Sequence, residues 1–142
     1  SKFIEIRHQE DASNIFKDII LPSEYFDFTM CNPPFHSSKE EAEKGSLKKL
    51  KNLNISTEQK LNFGGKANEL WCNGGEALFI KRMIKESTNF KDQVGWFTCL
   101  VSKKEHLAKL QKQLTKLKAE HKVIAMNQGQ KKSRILAWRI SE

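Results

Sequence analysis

Tyr25-Phe26-Asp27-Phe28-Thr29-Met30-Cys31 runs directly into Asn32-Pro33-Pro34-Phe35. The first seven residues read as a buried strand, and the prolines end it. A strand that closes in Asn-Pro-Pro-aromatic supplies the parts for holding a planar amine. The Asn carboxamide oxygen can accept one amine hydrogen bond. The prolines carry no N–H, so the turn presents bare carbonyls, one of which can accept the second. Phe35 is then placed to stack on the ring that bears the amine. The plain alternative is a proline-rich turn that only stops a strand.

Outward from this turn, strands and helices alternate. Phe3-Ile4-Glu5-Ile6-Arg7 has the period of a strand, and residues from about Ala12 to Ile20 read as a short helix. Ser37-Ser38-Lys39-Glu40 has the form of a capping box and predicts a helix just past Phe35. Gly45 to Gly65 is polar and lysine-rich, a long loop with helical turns. Asn73-Gly74-Gly75-Glu76 opens a helix whose Ala77, Phe79, Ile80, Met83 and Ile84 share one face. Val94 to Val101 is nearly all apolar, the pattern of a strand covered on both sides. Ser102-Lys103-Lys104-Glu105 is a second capping box, before a helix striped by Leu107, Leu110, Leu114 and Leu117. His121 to Met126 and Ile135 to Ile140 are two strands around a loop containing Gly129, joined too tightly for a crossover and so antiparallel.

Such alternation predicts an α/β fold with a doubly wound, mostly parallel sheet and one antiparallel strand. Ligands of such sheets bind at the carboxyl ends of the strands, where Asn32 stands. The 142 residues amount to one domain's worth of chain. No apolar run is long enough to span a bilayer, and no signal peptide is evident. Cys31, Cys72 and Cys99 are widely spaced and form no C-x-x-C pair, which reads as reduced core thiols of a cytoplasmic protein. The four histidines make no zinc pattern, so no metal is implied. The net charge of +8 is concentrated: residues 100–142 hold 11 Lys/Arg against 3 Asp/Glu, while residues 1–99 hold 14 of each. A one-sided basic surface points to a polyanion such as nucleic acid, against the plain reading of a solvated lysine-rich helix face.

Several segments recur together in one family. They are Cys31-Asn32-Pro33-Pro34-Phe35-His36, Leu61-Asn62-Phe63-Gly64-Gly65, Glu69-Leu70-Trp71-Cys72, Asn73-Gly74-Gly75-Glu76, Phe79-Ile80-Lys81 and Gln128-Gly129-Gln130-Lys131-Lys132-Ser133-Arg134. In this order they resemble the bacterial large-subunit (23S) ribosomal RNA adenine-N6 methyltransferases, related to the eukaryotic methyltransferase-10-domain RNA enzymes. The likeness covers nearly the whole chain.

The resemblance implies a Rossmann-like, S-adenosylmethionine-dependent fold of strand order 3-2-1-4-5-7-6. It implies that Asn32 and the Pro33 carbonyl hold the adenine N6 amine, Pro34 stiffens the turn and Phe35 stacks on a base flipped from its helix. Asn32 would also meet the cofactor, and Gln9 stands where this fold often touches the cofactor adenine. His36, Lys48, Lys49, Lys51, Lys131, Lys132 and Arg134 are the candidate RNA contacts, with plain surface lysines as the alternative. Glu76 reads as the partner of an Asn73 cap before it reads as a ligand, and Trp71 as packing before a base platform. The family's glycine-rich cofactor loop and its acidic ribose ligand are absent, together with the first two strands. Residues 1–142 are therefore expected to be the carboxyl-terminal part of one methyltransferase domain, poor at binding S-adenosylmethionine alone. Residues 1–10 are expected to fold back or to pair with another copy of the chain. Three other functions stay open: guanine-N2 methylation of ribosomal RNA, glutamine-amide methylation of a protein factor, and RNA binding without chemistry.

Overall fold

The protein is described by a computed structural model that covers residues 3–34, 75–129 and 131–141. The predicted helix at Ser37 and the loop Gly45 to Gly65 lie outside the described residues. The described residues form four strands and two α-helices: β1 Phe26–Thr29, α1 Gly75–Ser87, β2 Val94–Val101, α2 Leu107–Lys116, β3 Glu120–Gln128 and β4 Lys131–Arg139. They form one sheet of order β1-β2-β4-β3. Strand β1 runs parallel to β2, whereas β4 is antiparallel to both β2 and β3. This is the 4-5-7-6 side of the expected strand order. No helix among the described residues is long and apolar enough to cross a membrane.

Helix α1 forms because Ile80, Met83, Ile84 and Ser87 recur at helical spacing and are all buried. Glu76 in its first turn and Lys85 in its last complement the helix dipole. The side chains of Ser87 and Thr88 then fold back on the carbonyls of Ile84 and Lys85 (2.6 and 2.8 Å) where the helix ends. Helix α2 ends in a Schellman arrangement, in which Ala119 N–H reaches the Leu114 carbonyl and Lys118 N–H reaches Thr115. Lys118 takes the left-handed conformation (φ 57°) that usually falls to glycine.

Both helices pack on one face of the sheet. Leu110 and Leu114 join Ile80, Met83 and Ile84 over Phe97, Cys99, Val101, Leu136 and Trp138. Phe97 and Trp138 are register partners, and their rings stack at 5.8 Å with 18° between planes. The buried Trp138 indole N–H donates to Ser87 Oγ at 3.0 Å, so the polar atom inside this core is satisfied.

The opposite face of β2 is less covered among the described residues than the reading of a strand covered on both sides expects. Trp96, Thr98 and Leu100 are only partly buried. Strand β1, expected to be buried, is an edge strand on which Phe26, Phe28 and the following Met30 are exposed. An edge strand with one neighbour and one covered face cannot hide an apolar run.

The amino-terminal segment does not form the strand that Phe3 to Arg7 suggests, and it folds back on residues 19–24 as one of the two expectations for residues 1–10 had it. Residues 3–9 form no strand, and Phe3, Ile4 and Ile6 are 90%, 68% and 92% exposed. Alternation makes a strand only when a partner edge accepts its backbone groups. Here Arg7 ties the segment elsewhere, with two bonds to Glu24 (2.5 and 2.6 Å) and one to the Ile19 carbonyl (2.6 Å). The helix expected over Ala12 to Ile20 is a series of turns. Its amides are used otherwise: the Glu86 carboxylate on α1 accepts from the backbone N–H groups of Ile15, Phe16 and Lys17 at 2.7–2.9 Å. Phe16 is drawn into the core against Phe90 and Phe97.

Two outcomes follow from this packing. A Cβ on Gly95 would lie 2.5 Å from the Asp27 carbonyl oxygen, so Gly95→Ala should force β1 away from β2. It is expected to cost about 1–3 kcal/mol, read as a lowered urea midpoint. The hydrogen bonds of Arg7 and of Leu21 N–H hold the Glu24 carboxyl down from 4.5 to about 2. The tether's contribution should be complete above about pH 4.5 and fade as pH falls through about 2. Protection of the Ile19–Leu21 amides, taken relative to their intrinsic exchange at each pH, should therefore fall over that range in the unsubstituted chain and stay constant in Glu24→Gln.

Candidate functional site

The Asn-Pro-Pro turn continues β1 at the carboxyl edge of the sheet. Two contacts keep it against β2 after the strand ends: Thr98 Oγ1 donates to the Thr29 carbonyl at 2.5 Å, and Leu100 N–H donates to the Cys31 carbonyl at 2.9 Å. Asn32 is exposed, while Pro33 and Pro34 directly after it are buried. Proline suits a buried turn because it brings no N–H that would need a partner. A carboxamide is thus presented to solvent from a rigid, buried base. Cys31 and Cys99 hydrogen-bond below the turn, and that bond together with burial pushes the Cys99 thiol well above its ordinary range. This fits the expected core thiols; Cys72 lies outside the described residues.

Glu76 forms the second part of the site. Its carboxylate is 2% exposed and accepts from Ser102 N–H (3.1 Å), Ser102 Oγ (2.5 Å) and Lys103 N–H (3.4 Å). His106 Nδ1 lies 2.9 Å away. The side chain binds the loop that leaves β2, and Asn73, the cap with which the sequence pairs it, lies outside the described residues. The same contact overturns the second capping box, since Ser102 Oγ is given to Glu76 and the chain enters α2 through a short 3₁₀ turn at Lys104–His106 without a side-chain cap. A buried carboxylate is tolerated only when such donors surround it. Sequence reasoning missed this role, because Glu76 and Ser102 are 26 positions apart and nothing in the local pattern joins them.

Arg134, an expected RNA contact, is half-buried. Its guanidinium donates to the carbonyls of Ser102 (3.3 Å), Val101 (3.5 Å) and Lys132 (3.4 Å). Lys132 is exposed at the same end of β4. Lys131 pairs with Gln128 across the hairpin that turns at Gly129 (φ 63°). Gln9 sits in a turn of the amino-terminal segment with both side-chain atoms engaged, donating to the Lys17 carbonyl and accepting from Asp11 N–H. Phe35, His36, Lys48, Lys49, Lys51 and Trp71 lie outside the described residues. Trp96, which the sequence reading passed over, lies on the uncovered face with Lys122 Nζ and the Arg139 guanidinium each 4.7 Å from its ring.

Truncating Glu76 tests its role. Glu76→Ala leaves Ser102 N–H, Lys103 N–H and His106 without their acceptor, and should lower unfolding stability by roughly 1.5–3 kcal/mol. Amide exchange at Ser102 and Lys103 should rise well before that of β2.

Comparison with known proteins agrees with this layout. A family model described as RNA methyltransferase matches residues 1–142. The ribosomal RNA large subunit methyltransferase F of Christiangramia forsetii is 65% identical over 98% of this chain and 49% of its own length. The protein of the same name from Bacteroides fragilis is 58% identical over 96% of the chain and 46% of its own length. The chain thus spans about half the length of the curated relatives it matches. Among solved structures, the hMettl16 catalytic domain in complex with a MAT2A 3'UTR hairpin superposes with a TM-score of 0.64 at 26% identity, over 86% of this chain and 42% of that one. The N-terminal domain of human METTL16 in complex with SAH gives 0.56 at 26% identity, over 88% and 38%. The sheet order, the Asn-Pro-Pro turn at its carboxyl edge and a family match along the whole sequence together place this chain in the methyltransferase-10 family of RNA methyltransferases.

Proposed function

We propose that the chain supplies the methyl-accepting side of an S-adenosylmethionine-dependent enzyme that methylates the N6 amine of an adenine in large-subunit ribosomal RNA. The observation that carries this reading is the exposed Asn32 on its buried Pro33-Pro34 base, held to β2 at the sheet's carboxyl edge. In this reading Asn32 Oδ1 and the Pro33 carbonyl each accept one hydrogen of the amine. The nitrogen lone pair is thereby turned out of the ring plane. Phe35 stacks on the flipped base.

S-adenosylmethionine, when bound, supplies an electrophilic methyl group. The residues here fit that donor on one side: Asn32 is exposed, and no strand among the described residues lines the edge of β1 next to it. The cofactor would approach across that edge. Gln9 is left out of the cofactor set, because both of its polar side-chain atoms are engaged within its own turn. The work of the chain is positioning, since an amine and a methyl group held about 3–3.5 Å apart in line need little further help. The amine proton leaves to water during or after transfer, without a strong base.

The same reading makes residues 1–142 the carboxyl-terminal part of one domain in a longer cytoplasmic enzyme. The uncovered face with Phe28, Trp96, Leu100 and Ile124 would then be covered by the remainder, or by a second copy in its absence. The test uses a chain extended to the relatives' length, incubated with ribosomal RNA and S-adenosylmethionine. It should yield N6-methyladenine, and Asn32→Ala should lower the rate roughly 10²–10³-fold. Methylguanine as the product would overturn the choice of base, and full activity of Asn32→Ala would overturn the site.

A further inference from the structure

The mechanism leaves the loop between β2 and α2 without a task, yet it is the most firmly held exposed backbone at the carboxyl edge. Ser102 has both main-chain groups occupied from beneath, its N–H by buried Glu76 and its carbonyl by Arg134. The next amide, Lys103 N–H, also reaches Glu76. From this fixed base Lys103 and Lys104 are exposed. Arg134 links the same backbone to that of Lys132, a third exposed cation.

The charge balance of the loop favours an anion. The Glu76 carboxylate is turned inward and consumed by its donors, which leaves Glu105 as the acid beside the lysines in sequence. The loop also lies close to the amine-holding turn, because Leu100, two residues before Ser102, donates to the carbonyl of Cys31, next to Asn32. A burial as costly as that of Glu76 is not required to end a strand. It does preset the direction of two long side chains, so that less disorder is lost when they meet a ligand.

We propose that Lys103 and Lys104 form a phosphate-binding ledge that grips the RNA backbone beside the flipped base, with Glu76 and Arg134 as its positioning residues. The inference rests on the RNA reading above and adds an interaction which that reading does not contain. Phosphate contacts by lysine fix register without reading sequence, as a base-flipping site beside them needs.

The experiment measures binding of a fluorescent single-stranded RNA to the 142-residue chain across a salt series. The double variant Lys103→Ala/Lys104→Ala should bind more weakly, with the slope of log affinity against log salt shallower by roughly 0.7 for each phosphate no longer neutralised. Lys112→Ala/Lys116→Ala removes two exposed charges from the far half of α2 and should leave the slope near that of the unsubstituted chain. Equal effects of the two double variants would overturn the ledge, since only overall charge would then matter. A shallower slope in Lys132→Ala but not in Lys103→Ala/Lys104→Ala would overturn the ledge while keeping the RNA reading. No binding by the unsubstituted chain at low salt would overturn both.

Discussion

Among the described residues strand β1 has one hydrogen-bonded neighbour, β2, so the place of Asn32 in space depends on how β2 is held. Three constraints fix β2. Its register against β4 is set by partners from Phe97↔Trp138 to Val101↔Arg134. Its inner face is filled by Phe97, Cys99 and Val101, all essentially inaccessible. Its approach to β1 is close because Gly95 puts no side chain against the Asp27 carbonyl. A one-residue slip of β2 would carry Phe97 and Val101 to the open face and expose them, a cost no other contact offsets. The Asn-Pro-Pro turn therefore borrows its precision from hydrophobic burial several residues away.

The carboxylates of this protein act as clamps on the backbone more than as surface charges. Glu76 and Glu86 each gather backbone N–H groups from a segment distant in sequence, and Glu24 takes the nearby Leu21 N–H together with the Arg7 guanidinium. Glu86 organises residues 15–17 and Glu76 organises 102–103. Each clamp substitutes for hydrogen bonds that a longer helix or strand would have made internally. This explains how segments with little regular structure are still attached firmly to α1.

The same clamps mark the limit of what the sequence disclosed. The strand Val94–Val101 was legible to the residue, and α1, α2 and the antiparallel hairpin were legible as elements though not in their bounds, because each carries its own periodicity or turn chemistry. The Asn-Pro-Pro turn was legible because proline and asparagine state their geometry locally. Phe3-Ile4-Glu5-Ile6-Arg7 misled, since period-two alternation describes a strand's faces but not whether an edge exists to receive it. The helix expected over Ala12–Ile20 failed for a related reason: its amides were taken by Glu86, some 70 positions away. Arg134 looked like a phosphate ligand because a cation beside two lysines invites that reading, while its carbonyl partners come from the end of β2.

Strand β4 comes after β3 in the chain yet sits between β2 and β3 in the sheet. When the polypeptide leaves the ribosome amino end first, β3 emerges with no edge to join. Only once residues 131–139 follow can the hairpin close at Gly129 and wedge itself against β2. Until then Trp138 is missing from the core and Phe97 has only the tilted ring of Phe16 against it. The sheet is therefore completed from its far side inward, and a stalled or shortened nascent chain would leave β2 with an open edge on the flank opposite β1.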